Sequence, residues 1–113
     1  MQRIDDVGWY SAKTVYRHRL VQVGGTKTVF EERVVLFQAA NFEDAIAKAE
    51  TEANRYCSAV ENVVYLGFVS VYYLPEETVG NGTEIYSLRR DSNLSDMEYL
   101  SRFHEDGHER WLD

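Results

Sequence analysis

The sequence predicts an α+β domain, a four-stranded, mostly antiparallel sheet with a long helix on one face and a short C-terminal helix. Three observations carry that expectation. Long stretches alternate between two faces and are rich in β-branched and aromatic residues. Two segments instead repeat their apolar residues at intervals of three and four. The glycines and the single proline all lie outside the two helical segments. The order reads β-β-α-β-β-α.

Trp9 to Val23 opens the chain as a strand. Tyr10, Ala12, Thr14, Tyr16, His18 and Leu20 share one face, with Ser11, Lys13, Arg17 and Arg19 on the other. Val23-Gly24-Gly25-Thr26 follows, and two glycines supply the positive φ of a tight hairpin turn. The second strand then returns over roughly Thr28 to Ala39. Asn41 is placed to cap a helix, with Glu43 and Asp44 at the positive end of its dipole. Ala45, Ile46, Ala49, Ala53, Tyr56, Cys57 and Val60 form its apolar stripe.

Val63 to Leu74 is apolar on both alternating faces, which predicts a central strand covered on two sides and ended by Pro75. Beyond Gly80-Asn81-Gly82, Thr83 to Arg90 reads as the fourth strand. Leu94 to His104 reads as the closing helix, with Ser95 and Glu98 spaced as a capping box. One helix covers one sheet face only. The second face therefore awaits either the C-terminal helix or another copy of the chain.

A length of 113 residues suits one domain, 1–113, with loosely ordered ends at 1–8 and 105–113. The net charge of -7 is uneven: from Asp91 onward seven acids face two arginines, −5, leaving −2 for the rest. Such a chain repels phosphate backbones and anionic membranes, which argues against nucleic-acid and membrane partners. A lone cysteine, no secretory pattern and no apolar run long enough to span a bilayer point to the cytoplasm.

Several segments, taken in order, resemble a bacterial family known as domain of unknown function 4288. They are Trp9-Tyr10-Ser11-Ala12-Lys13, Glu31-Glu32-Arg33, Glu43 through Glu50, Tyr65-Leu66-Gly67-Phe68-Val69, Gly82 through Ser87, and Leu94 through Phe103. The resemblance runs from Trp9 to about Glu109. It implies a standalone bacterial cytosolic protein and carries no activity, cofactor or catalytic residues with it.

The candidate chemistry is sparse. His18, Glu32 and Arg33 lie on the first hairpin, where a carboxylate could orient the imidazole and the guanidinium could hold an anion. The competing reading is a structural histidine, with Glu31, Glu32 and Arg33 pairing across strands to Lys13, Arg17 or Arg19. His104 and His108 match the letters of a zinc-binding His-Glu-x-x-His. Gly107 interrupts them where the helix is ending, so a solvated acidic tail is the better reading. Cys57 lies on the apolar stripe and reads as core. Val23 to Thr28 lacks the spacing of a phosphate loop and leads into a strand rather than a helix.

No catalytic set, cofactor or metal is therefore expected. The functional expectation is a non-enzymatic protein-interaction or ligand-binding module that self-associates as a homodimer or binds another protein. The alternative is a small enzyme with a pocket between the sheet and the C-terminal helix, using His18, Glu32 and Arg33.

Overall fold

The chain folds as three antiparallel strands with a helix across one face and a second helix standing apart, in a computed structural model that describes residues 7–75 and 79–104. Strand β1, Gly8–Gln22, turns back into β2, Gly25–Ala39. Gly24 at the turn has φ +92, a left-handed conformation that a Cβ disfavours. Gln22 pairs with Gly25, and that register holds along the hairpin to Gly8 opposite Ala39. Gly8, expected within a loosely ordered end at 1–8, is instead the first residue of β1, and residues 1–6 and 105–113 lie outside the described residues.

Helix α1, Phe42–Ala59, starts where expected, with the Asn41 side chain accepting from the Asp44 amide at 2.8 Å. It has 18 residues, an ordinary length rather than the long helix anticipated. The residues it turns to the sheet are Ala45, Ala49 and Ala53, all buried. Small side chains bring the helix backbone close to the strands, and the sheet supplies the bulk. Tyr10 packs with Ala39 and Ala45, and its ring meets Phe42 and Tyr73 at 5.2 Å each. Tyr16, fully buried, meets Tyr56 at 5.0 Å and Tyr65 at 5.8 Å. Cys57 is half-buried at the helix edge, not enclosed in the core, and its thiol is free.

Strand β3, Val63–Leu74, pairs antiparallel with β1, giving the order β2-β1-β3. The expectation of a central third strand is overturned: β1 is central and β3 lies at the edge. Apolar residues on both faces of β3 reflect the faces it presents, not the neighbours on its two edges. Between Val69 opposite Thr14 and Tyr65 opposite Tyr16, β3 carries two extra residues. Gly67, at φ +80, takes the backbone through this bulge.

The fourth strand is also overturned. Among the described residues, 79–95 contain no strand. Thr83 to Tyr86 cross over the sheet face opposite α1 instead of pairing with the β3 edge. There the Ser11 hydroxyl donates to the Ile85 carbonyl, and Tyr72 donates to Glu84 at 2.8 Å. Lys13 lies over the Tyr86 ring at 5.9 Å. The Ile85 carbonyl is thus used by a side chain from below rather than by a strand alongside.

Helix α2, Asp96–Phe103, has the anticipated capping box between Ser95 and Glu98. It does not cover the sheet. Among the described residues α2 packs near neither the strands nor α1. Its nearest partner is Arg90, which donates to the Tyr99 hydroxyl at 3.0 Å and lies over the Phe103 ring at 4.5 Å. No described helix is long and apolar enough to cross a membrane.

Candidate functional site

The hairpin register decides which of the candidate residues meet. Gln22 opposite Gly25 makes every even-numbered residue of β1 share a face with odd-numbered residues of β2. His18 therefore lies with Glu31 and Arg33 on the helix side, while Glu32 faces the other way. There Glu32 pairs with Lys13, one of the cross-strand partners expected for it. The trio His18, Glu32 and Arg33 is not brought together.

On the helix side a different set assembles. His18 Nε2 and Glu31 Oε1 are 2.8 Å apart, and the Tyr56 hydroxyl of α1 donates to the same oxygen at 2.6 Å. Arg33 donates two parallel bonds to Glu52 of α1, at 2.9 and 3.0 Å. The same guanidinium reaches the Tyr16 hydroxyl at 3.2 Å and lies 3.8 Å from the centre of the Tyr56 ring. Thr14 and Tyr16 share a further bond at 2.7 Å, and Tyr65 of β3 donates to Glu50 at 3.2 Å. Two elements, β2 and α1, are thereby stapled by paired charges and stacked rings.

Electrostatics follow the same geometry. Burial works to raise the Glu31 pKa, but bonds from Tyr56 and His18 and the charges of His18 and Arg33 outweigh it and hold the carboxyl below its ordinary range. Burial, reinforced by the Glu31 bond, pushes Tyr56 up to about 12, and burial with the Glu50 bond does the same to Tyr65. Glu31 thus adds stability that is present above the ordinary carboxylate range and lost as pH falls through its lowered value. The tyrosines add stability present below 10 that is lost as pH rises toward 12. Spectrophotometric titration is expected to resolve tyrosines ionising near 12, and Tyr56→Phe and Tyr65→Phe are each expected to remove one.

Chemically, this set is closed on itself. Glu31 Oε1 serves two donors and both Glu52 oxygens accept from Arg33, so these charges are used within the set. A shallow groove of about 310 Å³ runs beside it between α1 and β2, lined by Phe37, Ala47, Lys48, Thr51, Glu52 and Arg55. The pocket anticipated between the sheet and α2 has no counterpart among the described residues, because α2 stands clear of the sheet. His104 caps the end of α2 with its ring 5.6 Å from Tyr99, and His108 lies outside the described residues. No group of three metal-ligating side chains occurs among the described residues.

The more unusual surface is the second sheet face. Thr83 to Tyr86 cover only its Ser11 end. Toward the hairpin, Phe30 is 64% exposed, Val34 46%, Val64 45%, Leu66 41% and Phe68 52%. Val15, Leu66 and Phe68, with Lys13 and Glu32, line a depression of about 300 Å³ there. Arg17, opposite Phe30 and Val64, borders this patch, and its buried Nε has no hydrogen-bond partner. Leu66 and Phe68 reach the same face because the bulge at Gly67 adds two residues and so preserves the alternation.

Fold and surface together define a small α+β module with one face closed by a helix and an apolar face left open. The model of the family described as domain of unknown function DUF4288 matches residues 9–87, and the chain belongs to that family. The match ends ahead of α2, which the resemblance read from the sequence had included. No curated protein and no solved structure matches the chain.

Proposed function

We propose that this protein is a non-enzymatic interaction module of the bacterial cytosol that self-associates through the second face of its sheet. One observation carries the reading: Phe30, Val34, Val64, Leu66 and Phe68 are all exposed on a single sheet face. Contiguous apolar surface of this kind marks an interaction site, because water contact with it is unfavourable and a partner relieves that cost. The closed polar set on the helix side supports a structural role for His18 and Arg33 in preference to a catalytic one. A net charge of -7 disfavours nucleic acid and anionic lipid as occupants and leaves protein as the partner. The bacterial source rests on the resemblance read from the sequence, and a chain with a lone cysteine suits a reducing compartment such as the cytosol.

Phe68→Glu tests the reading, since the side chain is half exposed and contributes little to the core. Light scattering at micromolar concentration is expected to give a dimer for the intact chain and a monomer for the variant, with matching circular dichroism. Equal masses for the two would refute the proposal.

A further inference from the structure

Five asparagines stand in this chain, and the structure treats their carboxamides differently. The Cγ of an asparagine is an electrophile, and the amide nitrogen of the next residue is the backbone nucleophile nearest to it. Ring closure between the two needs a carboxamide that is not held and a following amide that is not engaged. It also needs a following residue that leaves the backbone free to turn, which glycine does best.

Four of the five fail a condition. The Asn41 carboxamide accepts from the Asp44 amide at 2.8 Å and precedes the bulky Phe42. Asn54 lies within α1, where the next amide belongs to the helical ladder. Asn62 is followed by β-branched Val63, which crowds the approach. Asn93 is followed by Leu94, whose amide donates to the Ser92 hydroxyl at 3.1 Å.

Asn81 meets every condition. It is exposed and followed by Gly82, inside a turn closed by the Thr83 amide donating to the Gly80 carbonyl at 3.2 Å. Among the described residues neither the Asn81 side chain nor the Gly82 amide has a hydrogen-bond partner. Gly82 sits at φ +86, a turn position that selects glycine. The space where its Cβ would stand is empty. The glycine that makes the turn thus leaves its own amide unhindered.

We propose that Asn81 is a site of spontaneous covalent modification, its carboxamide converted to isoaspartate and aspartate. The Gly82 nitrogen bonds to Asn81 Cγ, the bond from Cγ to the side-chain nitrogen breaks, and ammonia leaves with the proton of the Gly82 amide. Water then opens the cyclic imide. Opening at Cγ restores the backbone as aspartate, whereas opening at the main-chain carbonyl carbon gives isoaspartate, with Cβ and Cγ now in the main chain. Either product adds a negative charge close to Glu84, and neither step needs an oxidant or reductant.

Isoaspartate also acts on the fold. Besides the bond between the Thr83 amide and the Gly80 carbonyl, the Gly80 amide donates to Thr83 Oγ1 at 2.9 Å, and both bonds span residue 81. Lengthening the enclosed backbone breaks them. Thr83 to Tyr86 then lose their turn anchor and keep only the contacts from Ser11, Tyr72 and Lys13. The modification therefore loosens the segment that covers the Ser11 end of the second sheet face, independently of how the chain associates.

The test incubates the folded full-length chain and Asn81→Gln side by side in warm, mildly alkaline buffer, sampled over weeks. The intact chain is expected to gain about one mass unit and to focus below its fresh position, near the sequence pI of 4.9. Peptide mapping is expected to place the change at residue 81, with isoaspartate, labelled by an isoaspartyl methyltransferase, as the larger product. Asn81→Gln is expected to stay unchanged, because the longer side chain closes a larger ring far more slowly. Amides of residues 83–86 are expected to exchange with solvent at least about tenfold faster in the modified chain. An intact chain that ages unchanged would overturn the proposal, as would a change mapped to Asn41, Asn54, Asn62 or Asn93. A chain modified at residue 81 with unaltered exchange would overturn the loosening of the segment.

Discussion

Arg33→Met is expected to lower the unfolding free energy by about 3 kcal/mol. The guanidinium holds Glu52 through two bonds, reaches Tyr16, and stacks on Tyr56. Both partners of the ion pair are about three-quarters buried, 23% and 24% exposed, so solvent screens the pair only partly. Burial opposes the charge on Arg33, but the bonds from Glu52 and Tyr16 hold its pKa above the ordinary value. Removing the cation leaves the Glu52 carboxylate without its partner between helix and sheet. Chemical denaturation measures the loss. Adding Glu52→Gln is expected to recover part of it, since the stranded charge disappears with its partner. Arg33→Lys is expected to recover little, because a lysine cannot make the paired bonds or the stacking.

Ala53→Leu is expected to cost a similar amount, about 3 kcal/mol, for a steric reason. Ala53 is fully buried on the side of α1 that faces the sheet. Three more carbons there push the helix away from the strands and disturb the Tyr16 and Tyr56 rings beside it. For a domain of this size the loss lowers the melting temperature by on the order of 10 °C. The same substitution at exposed Ala47 is expected to be nearly neutral, which separates overpacking from helix propensity. A neutral Ala53→Leu would mean that α1 does not sit closely on the sheet.

The elements that were legible in the sequence are those whose cause is local. Gly24-Gly25 turns the hairpin, Asn41 caps α1, Pro75 follows the last residue of β3, and Ser95 with Glu98 caps α2. Each depends on a backbone angle or a hydrogen bond within a few residues. Strand order is not of this kind. β3 reads as central because both faces are apolar, but face composition says nothing about which edges are paired. Thr83 to Arg90 alternate well enough for a strand, yet the contacts from Ser11, Lys13 and Tyr72 draw the segment across the face instead.

The polar set was half legible. The sequence groups His18 and Arg33 with Glu32 on the hairpin, whereas the register places them on one face with Glu31. Carrying the pairing of Gln22 with Gly25 six and seven residues further down the hairpin separates the two glutamates by parity. Glu52 and Tyr56 were beyond such reasoning, since their meeting with the hairpin depends on how α1 lies across the sheet. The apolar pattern of β3 predicts a second face in need of a cover, whereas the extra residues around Gly67 depend on the pairing with β1 and leave no mark in the alternation.

The most direct test of the central claim, that the open sheet face is closed by another copy of the chain, is the mass of the intact protein in solution. Light scattering across a micromolar concentration series is predicted to give twice the chain mass of 13.1 kDa, falling toward that value on dilution. A species of 13.1 kDa at every concentration would contradict the claim.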